Sequence, residues 1–142
     1  MSVTSACADF TLGLKIADVP ADAVKWAKWG ILDCTGVALA GSATETSAII
    51  NNYLEFVGGN PQARVLGLGV KTSAPEAAMA NGTLAHALDY DDMNRSMLGH
   101  PSSVLTAALL PLAESLQLPG RKVLEAYVVG LEAMAQIGRA HV

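Results

Sequence analysis

The sequence predicts an all-α fold, a bundle-like packing of helices with at most one short β-hairpin near residues 64–70. Apolar residues recur at helical spacing over most of the chain. Those residues are largely small and Ala-rich, which lets helices approach closely. Only one run, Arg64 to Val70, is rich in β-formers, and no second or third strand follows to build a sheet.

In chain order, Phe10, Leu14 and Ala17 place a first helix over residues 4–16. Pro20 opens a second, where its missing N–H is harmless in the first turn. Val24, Ala27, Ile31, Cys34 and Ala38 give that helix one apolar stripe over 20–40, with Trp26 and Leu32 on its flank and Gly41 as its stop. Thr44 or Thr46 caps a third helix over 44–57, whose buried face is Ile49, Ile50, Tyr53, Leu54 and Val57. Gly58-Gly59-Asn60-Pro61 breaks the chain before the β-rich run. Ser73 with Glu76 fits a capping box for a helix over 75–88, in which Asn81-Gly82 is a local conflict. Ser102 or Ser103 caps a helix over 102–117, which Pro111 should kink, and a last amphipathic helix covers 121–140.

The chain has 142 residues, enough for one domain or part of one, with 51% hydrophobic and only 15% charged residues. So little surface charge implies that further protein normally covers part of this surface. A net charge of −4 and the lack of any basic run exclude a nucleic-acid footprint. A membrane helix needs ~18 uninterrupted apolar residues, and Asp33, Glu114 and Glu132 break the best candidates. Cys7 and Cys34, without CxxC spacing or a secretory leader, fit a reducing, cytoplasmic setting.

Chemistry concentrates in residues 81–103, NGTLAHALDYDDMNRSMLGHPSS. Here Asp89, Asp91, Asp92, His86, His100 and Arg95 crowd one segment of an apolar chain, which points either to a solvated loop or to a site. No metal is expected: the EF-hand, DDxxD and HExxH patterns all fail. Neither a GxSxG nor a Cys beside a His offers a nucleophile. Acid–base work suits the stretch better. A carboxylate at a helix C-terminus, as expected for Asp89, sits against the negative end of the dipole and is disfavoured as an anion. His100 precedes Pro101 and a helix N-terminus, which favours anions. His86 reads as a histidine bonded to Asp89. Asp91 reads as a solvated loop charge, and Asp92 as either that or a site residue. Arg95 either binds an anionic substrate or pairs with Asp91 or Asp92.

NGTLAHALDYDD followed by GHPSS, with ILDCTGVALAG and PEAAMANG before and LEAYVVGLEAMAQIG after, resembles the MmgE/PrpD family. The resemblance covers nearly the whole chain and implies the N-terminal portion of one large helical domain, residues 1–142, truncated and lacking the family's α/β lid domain. It implies a homodimer and metal-independent, cofactor-free lyase chemistry, dehydration or decarboxylation of a small di- or tricarboxylic acid, with epimerisation sharing the same proton abstraction. Asp89, the first Asp of DYDD, and His100, the His of HPS, match active-site positions. Asp92, Arg95 and His86 are then expected to bind substrate. Met93 stands where the family often has Thr, so a hydroxyl donor is missing. A lysine, a further histidine and a tyrosine of the family's site lie beyond residue 142, so this chain alone is expected to be inactive. The reading from another class is a non-catalytic helical interaction module.

Overall fold

A computed structural model describes residues 2–139. Six α-helices run along them: α1 (Val3–Gly13), α2 (Ala21–Gly41), α3 (Glu45–Val57), α4 (Ala74–His86), α5 (Pro101–Ser115) and α6 (Gly120–Arg139). A 3-10 turn, Ile16–Asp18, lies between α1 and α2. Two short strands, β1 (Ala63–Arg64) and β2 (Lys71–Thr72), pair antiparallel with Ala63 opposite Thr72 and Arg64 opposite Lys71. The all-α expectation therefore holds, with one small hairpin. The strands lie at the ends of the predicted run, because Gly67 and Gly69 adopt positive φ and turn its middle into the connecting loop. Of the last predicted helix, residue 140 lies outside the described residues, as does His141. Among the described residues, no helix is long and apolar enough to cross a membrane.

Helix starts differ from the local reading where a distant group supplies the cap. Ser2 caps α1 locally, its hydroxyl accepting the Ser5 N–H at 3.1 Å. Pro20 stands one place outside α2, as its N-cap, rather than in the first turn. Thr44 takes the N-cap position of α3, but its hydroxyl donates back to the Gly41 carbonyl at 2.7 Å. The predicted capping box at Ser73 does not form; the Gln62 side chain instead accepts the Ala74 N–H at 3.3 Å. Neither Ser102 nor Ser103 caps α5. Both lie inside its first turn, and the Asp92 carboxylate does the capping, as described below.

α4 is the centre of the molecule, packed against α2 on one side and α5 on the other. Its inner face is made of Ala77, Ala80, Leu84 and Ala85, all buried, together with Cys34 and Ala38 of α2, Ile50 and Leu54 of α3, and Ala63 and Val65 of the hairpin. Gly41 is more than a helix stop: a Cβ there would lie 2.0 Å from the Leu84 carbonyl oxygen, so α2 reaches α4 only because the side chain is missing. Gly82 gives α5 the same access, its absent Cβ facing the Ala107 methyl. The Asn81-Gly82 conflict has a physical answer. The buried Asn81 amide accepts the Leu66 N–H at 2.8 Å and donates to the Arg64 carbonyl at 3.1 Å, fastening the hairpin to α4. Glu114 of α5 holds the other edge, accepting the Arg64 N–H at 2.9 Å and pairing with Arg64 and Lys71.

The predicted stripe of α2 is borne out at Ala27, Cys34 and Ala38, which are buried. The buried face of α3 is narrower than predicted. Ile50 and Leu54 are buried, while Ile49, Tyr53 and Val57 remain exposed with Trp26, Trp29, Leu32 and Phe56.

Candidate active site

α4 ends at His86, and α5 begins at Pro101, so the sequence between them must return the chain across the end of the bundle. It does so as a loop closed by an isolated bridge, with the Asn94 N–H donating to the Gly99 carbonyl at 2.9 Å. Asp89 bends the chain just past α4, in the left-handed region at φ 53°, a conformation Asp tolerates better than most residues. That bend turns Asp91 inward and leaves Asp89 outside.

Asp91 is the hub. Its side chain is fully buried (0% exposed), which overturns the expected solvated charge. Oδ1 lies 2.9 Å from His86 Nδ1, so His86 bonds Asp91 rather than Asp89. His100 Nδ1 lies 3.2 Å from the Asp91 backbone carbonyl and 3.4 Å from Oδ2, an oxygen with no hydrogen bond of good geometry. The two imidazoles meet edge to face, with ring centroids 4.8 Å apart. His100 turns Nε2 toward Asp89, whose Oδ1 is 3.7 Å away. Asp89 is 78% exposed and His100 31%, so both are open to a ligand. The two predicted catalytic residues are thus neighbours across the loop, and His86 steadies Asp91 rather than Asp89.

The electrostatics follow from this geometry. Burial pushes the Asp91 carboxyl up, but the bond from His86 and further hydrogen bonds outweigh it and hold it below its ordinary value. The same bond, and the Asp91 charge behind it, raise the pKa of His86. Donor atoms of His86, Asp89, Asp91 and His100 all lie within 4.8 Å of one another, near enough to share a cation. Both histidines direct Nδ1 at Asp91, which leaves Nε2 as the ring nitrogen open to a ligand.

Asp92 points the other way. Its Oδ1 accepts the Ser102 N–H at 3.0 Å and its Oδ2 accepts the Ser102 hydroxyl at 2.6 Å. A carboxylate at a helix N-terminus satisfies both a free N–H and the dipole. Ser102 Oγ lies 2.5 Å from the Tyr127 hydroxyl of α6, and since Ser102 gives its proton to Asp92, Tyr127 donates to Ser102. Burial raises the pKa of Tyr127 and keeps it a phenol. Both Asp92 oxygens are therefore engaged with Ser102 inside the chain, where Asp92 braces the loop. Arg95 is exposed and, among the described residues, pairs with neither Asp91 nor Asp92. Met93 is also exposed. Burial pushes the Cys34 thiol up to about 11, leaving it a poor nucleophile.

A groove of about 760 Å³ opens beside the histidines between α4 and α5, lined by His86, His100, Ser103, Met79, Thr83 and Val104 among others. A second, of about 610 Å³, lies between α2 and α6, with Trp26, Trp29, Asp33, Asp92 and Tyr127 on its walls.

The model of the MmgE/PrpD N-terminal domain matches residues 5–141. The chain belongs to the MmgE/PrpD family. It is 31% identical to cis-aconitate decarboxylase of Mus musculus over 141 residues, which are 96% of this chain and 29% of that protein. It is 29% identical to cis-aconitate decarboxylase of Homo sapiens over the same shares. With cis-aconitate decarboxylase of Aspergillus terreus it shares 30% identity over 97% of this chain and 29% of that protein. The chain thus spans about three tenths of the length of these relatives. Sequence reasoning missed Asp91, Ser102 and Tyr127. The family resemblance pointed to Asp89 and His100, whereas the bracing residues come together only through folding, Tyr127 from a helix 25 positions beyond Ser102.

Proposed function

We propose that this chain is the N-terminal part of the helical domain of a lyase that acts on a small di- or tricarboxylic acid, most simply by decarboxylation. The observation that carries this reading is the open pair of Asp89 and His100, 3.7 Å apart, with His100 on the groove wall, in a chain whose relatives are named cis-aconitate decarboxylase. In decarboxylation the bond between carbon and carboxylate breaks, carbon dioxide leaves, and the electron pair left on carbon takes a proton. His100 supplies that proton or holds a substrate carboxylate, and Asp89 moves the proton or orients its partner. Dehydration would use the same pair, one group taking a proton beside a carboxylate and the other giving one to the departing hydroxyl. Arg95, exposed on the same loop, is a cation free to meet a substrate carboxylate, and His86 forms part of the groove wall. The chemistry needs no metal in this reading, so chelators leave turnover unchanged. The exposed apolar surface around Trp26, Trp29 and Phe56 suits a homodimer, and a cytoplasmic setting suits free thiols at Cys7 and Cys34.

The test is turnover of small carboxylic acids, cis-aconitate first, by a protein in which this chain stands in its complete enzyme, beside the 142-residue chain alone. Asp89→Asn and His100→Gln should each lower turnover about a hundredfold or more, the scale of losing a general acid or base, and the chain alone should be inactive. Near-normal turnover in both variants would sink the assignment.

A further inference from the structure

We propose that Asp91 is the positioning residue of this site: it anchors both imidazoles by Nδ1, so that His100 works through Nε2, the nitrogen that faces Asp89. The inference rests on the reading of His100 as the acid–base group, and adds which nitrogen acts and what fixes it.

Hydrogen-bond chemistry leaves little choice. His100 Nδ1 sits 3.2 Å from the Asp91 backbone carbonyl, which can only accept, so Nδ1 must carry a proton. The same nitrogen lies 3.4 Å from Asp91 Oδ2, a buried oxygen without a hydrogen bond, so that contact is one of charge only. His86 Nδ1, 2.9 Å from Oδ1, donates likewise, since an ionised carboxylate has no proton to give. Asp91 therefore accepts from both imidazoles, from His86 at the carboxylate and from His100 at the backbone carbonyl. Neutral His100 is left with its lone pair on Nε2, and protonated His100 with an Nε2–H donor, in both cases on the side of Asp89 and the groove. The titratable groups facing His100 are Asp89 and Asp91 from the loop and His86 from α4. From α5 the Ser103 hydroxyl donates to the His100 carbonyl and brings no charge.

Long-range proton–nitrogen NMR of the 142-residue chain reads the tautomers directly, at a pH well above the ordinary imidazole value of about 6.5. Both His86 and His100 should appear as Nδ1–H tautomers. Asp91→Asn sharpens the test. Asn keeps the backbone carbonyl that accepts from His100 Nδ1 and alters only the side-chain group that accepts from His86. His100 should then stay Nδ1–H in Asp91→Asn and in His86→Gln alike. An Nε2–H tautomer at His100 in the wild-type chain overturns the proposal, as does one at His100 in the Asp91→Asn chain. The wild-type spectrum decides even where Asp91→Asn does not fold. Normal turnover in His100→Gln would instead remove the acid–base reading and leave the tautomers as measured, so the two failures are distinguishable.

Discussion

The middle of this molecule and its rim are built from opposite residues. Around α4, contact is made by Gly41, Ala77, Ala80, Gly82 and Ala85, where backbones meet almost directly. On the rim stand Trp26, Trp29, Leu32, Ile49 and Phe56, the last 89% exposed. Globular proteins usually bury their large apolar side chains. Here the small residues are inside and many large ones outside. The middle gains its stability from close approach and has no tolerance for volume, whereas the rim presents apolar area that other protein can cover.

Substitutions at the two places should separate them most widely. Gly41→Val puts side-chain atoms where the Leu84 carbonyl already lies, and should cost about 3 kcal/mol or prevent folding. Phe56→Ser, on the rim, should change stability by no more than about 0.5 kcal/mol while reducing self-association. Urea melts and sedimentation read the two effects. Equal destabilisation by both variants would erase the distinction between middle and rim.

A smaller effect is expected where the loop is braced to the bundle. Asp92→Ala removes the cap of α5 and should cost about 1–2 kcal/mol. Tyr127→Phe removes one buried hydroxyl bond to Ser102 and should cost about 1 kcal/mol. Because both act through Ser102, the double variant should lose less than the sum of the two. Strict additivity in urea melts would mean that Tyr127 and Asp92 are not joined through that hydroxyl.

What the sequence made legible follows the same division. Helix existence was readable, because apolar periodicity is a property of each segment alone, and so was the single hairpin near residues 64–70. Gly41 was readable as a stop but not as a crossing point, since the Leu84 carbonyl that excludes a side chain lies on another helix. Caps were misread at Ser73, Ser102 and Ser103 because Gln62 and Asp92 reach in from elsewhere. Within the loop, Asp89 and His100 came from the family motif. Asp91 reads as a solvated charge in the sequence because acidic loops are usually wet; the left-handed turn at Asp89 that precedes it has no mark in the spacing.

The smallest effect comes from the His86–Asp91 pair, and its direction with pH is fixed. His86 has its pKa raised above 6.5 by Asp91, so its contribution to stability is fully present below that value and fades as pH rises through the folded-state pKa. The pKa of Asp91 is lowered from 3.8, so its contribution is present above that value and fades as pH falls through the folded-state pKa. The pair therefore stabilises most between pH 3.8 and 6.5. Its size is limited because the His86 side chain is 53% exposed, and solvent screening keeps such a pair under about 1 kcal/mol. His86→Gln should accordingly lower the urea midpoint inside that window and approach the wild-type midpoint as the solution becomes alkaline. A deficit of the same size on the alkaline side would show that His86 contributes by packing and not by its charge.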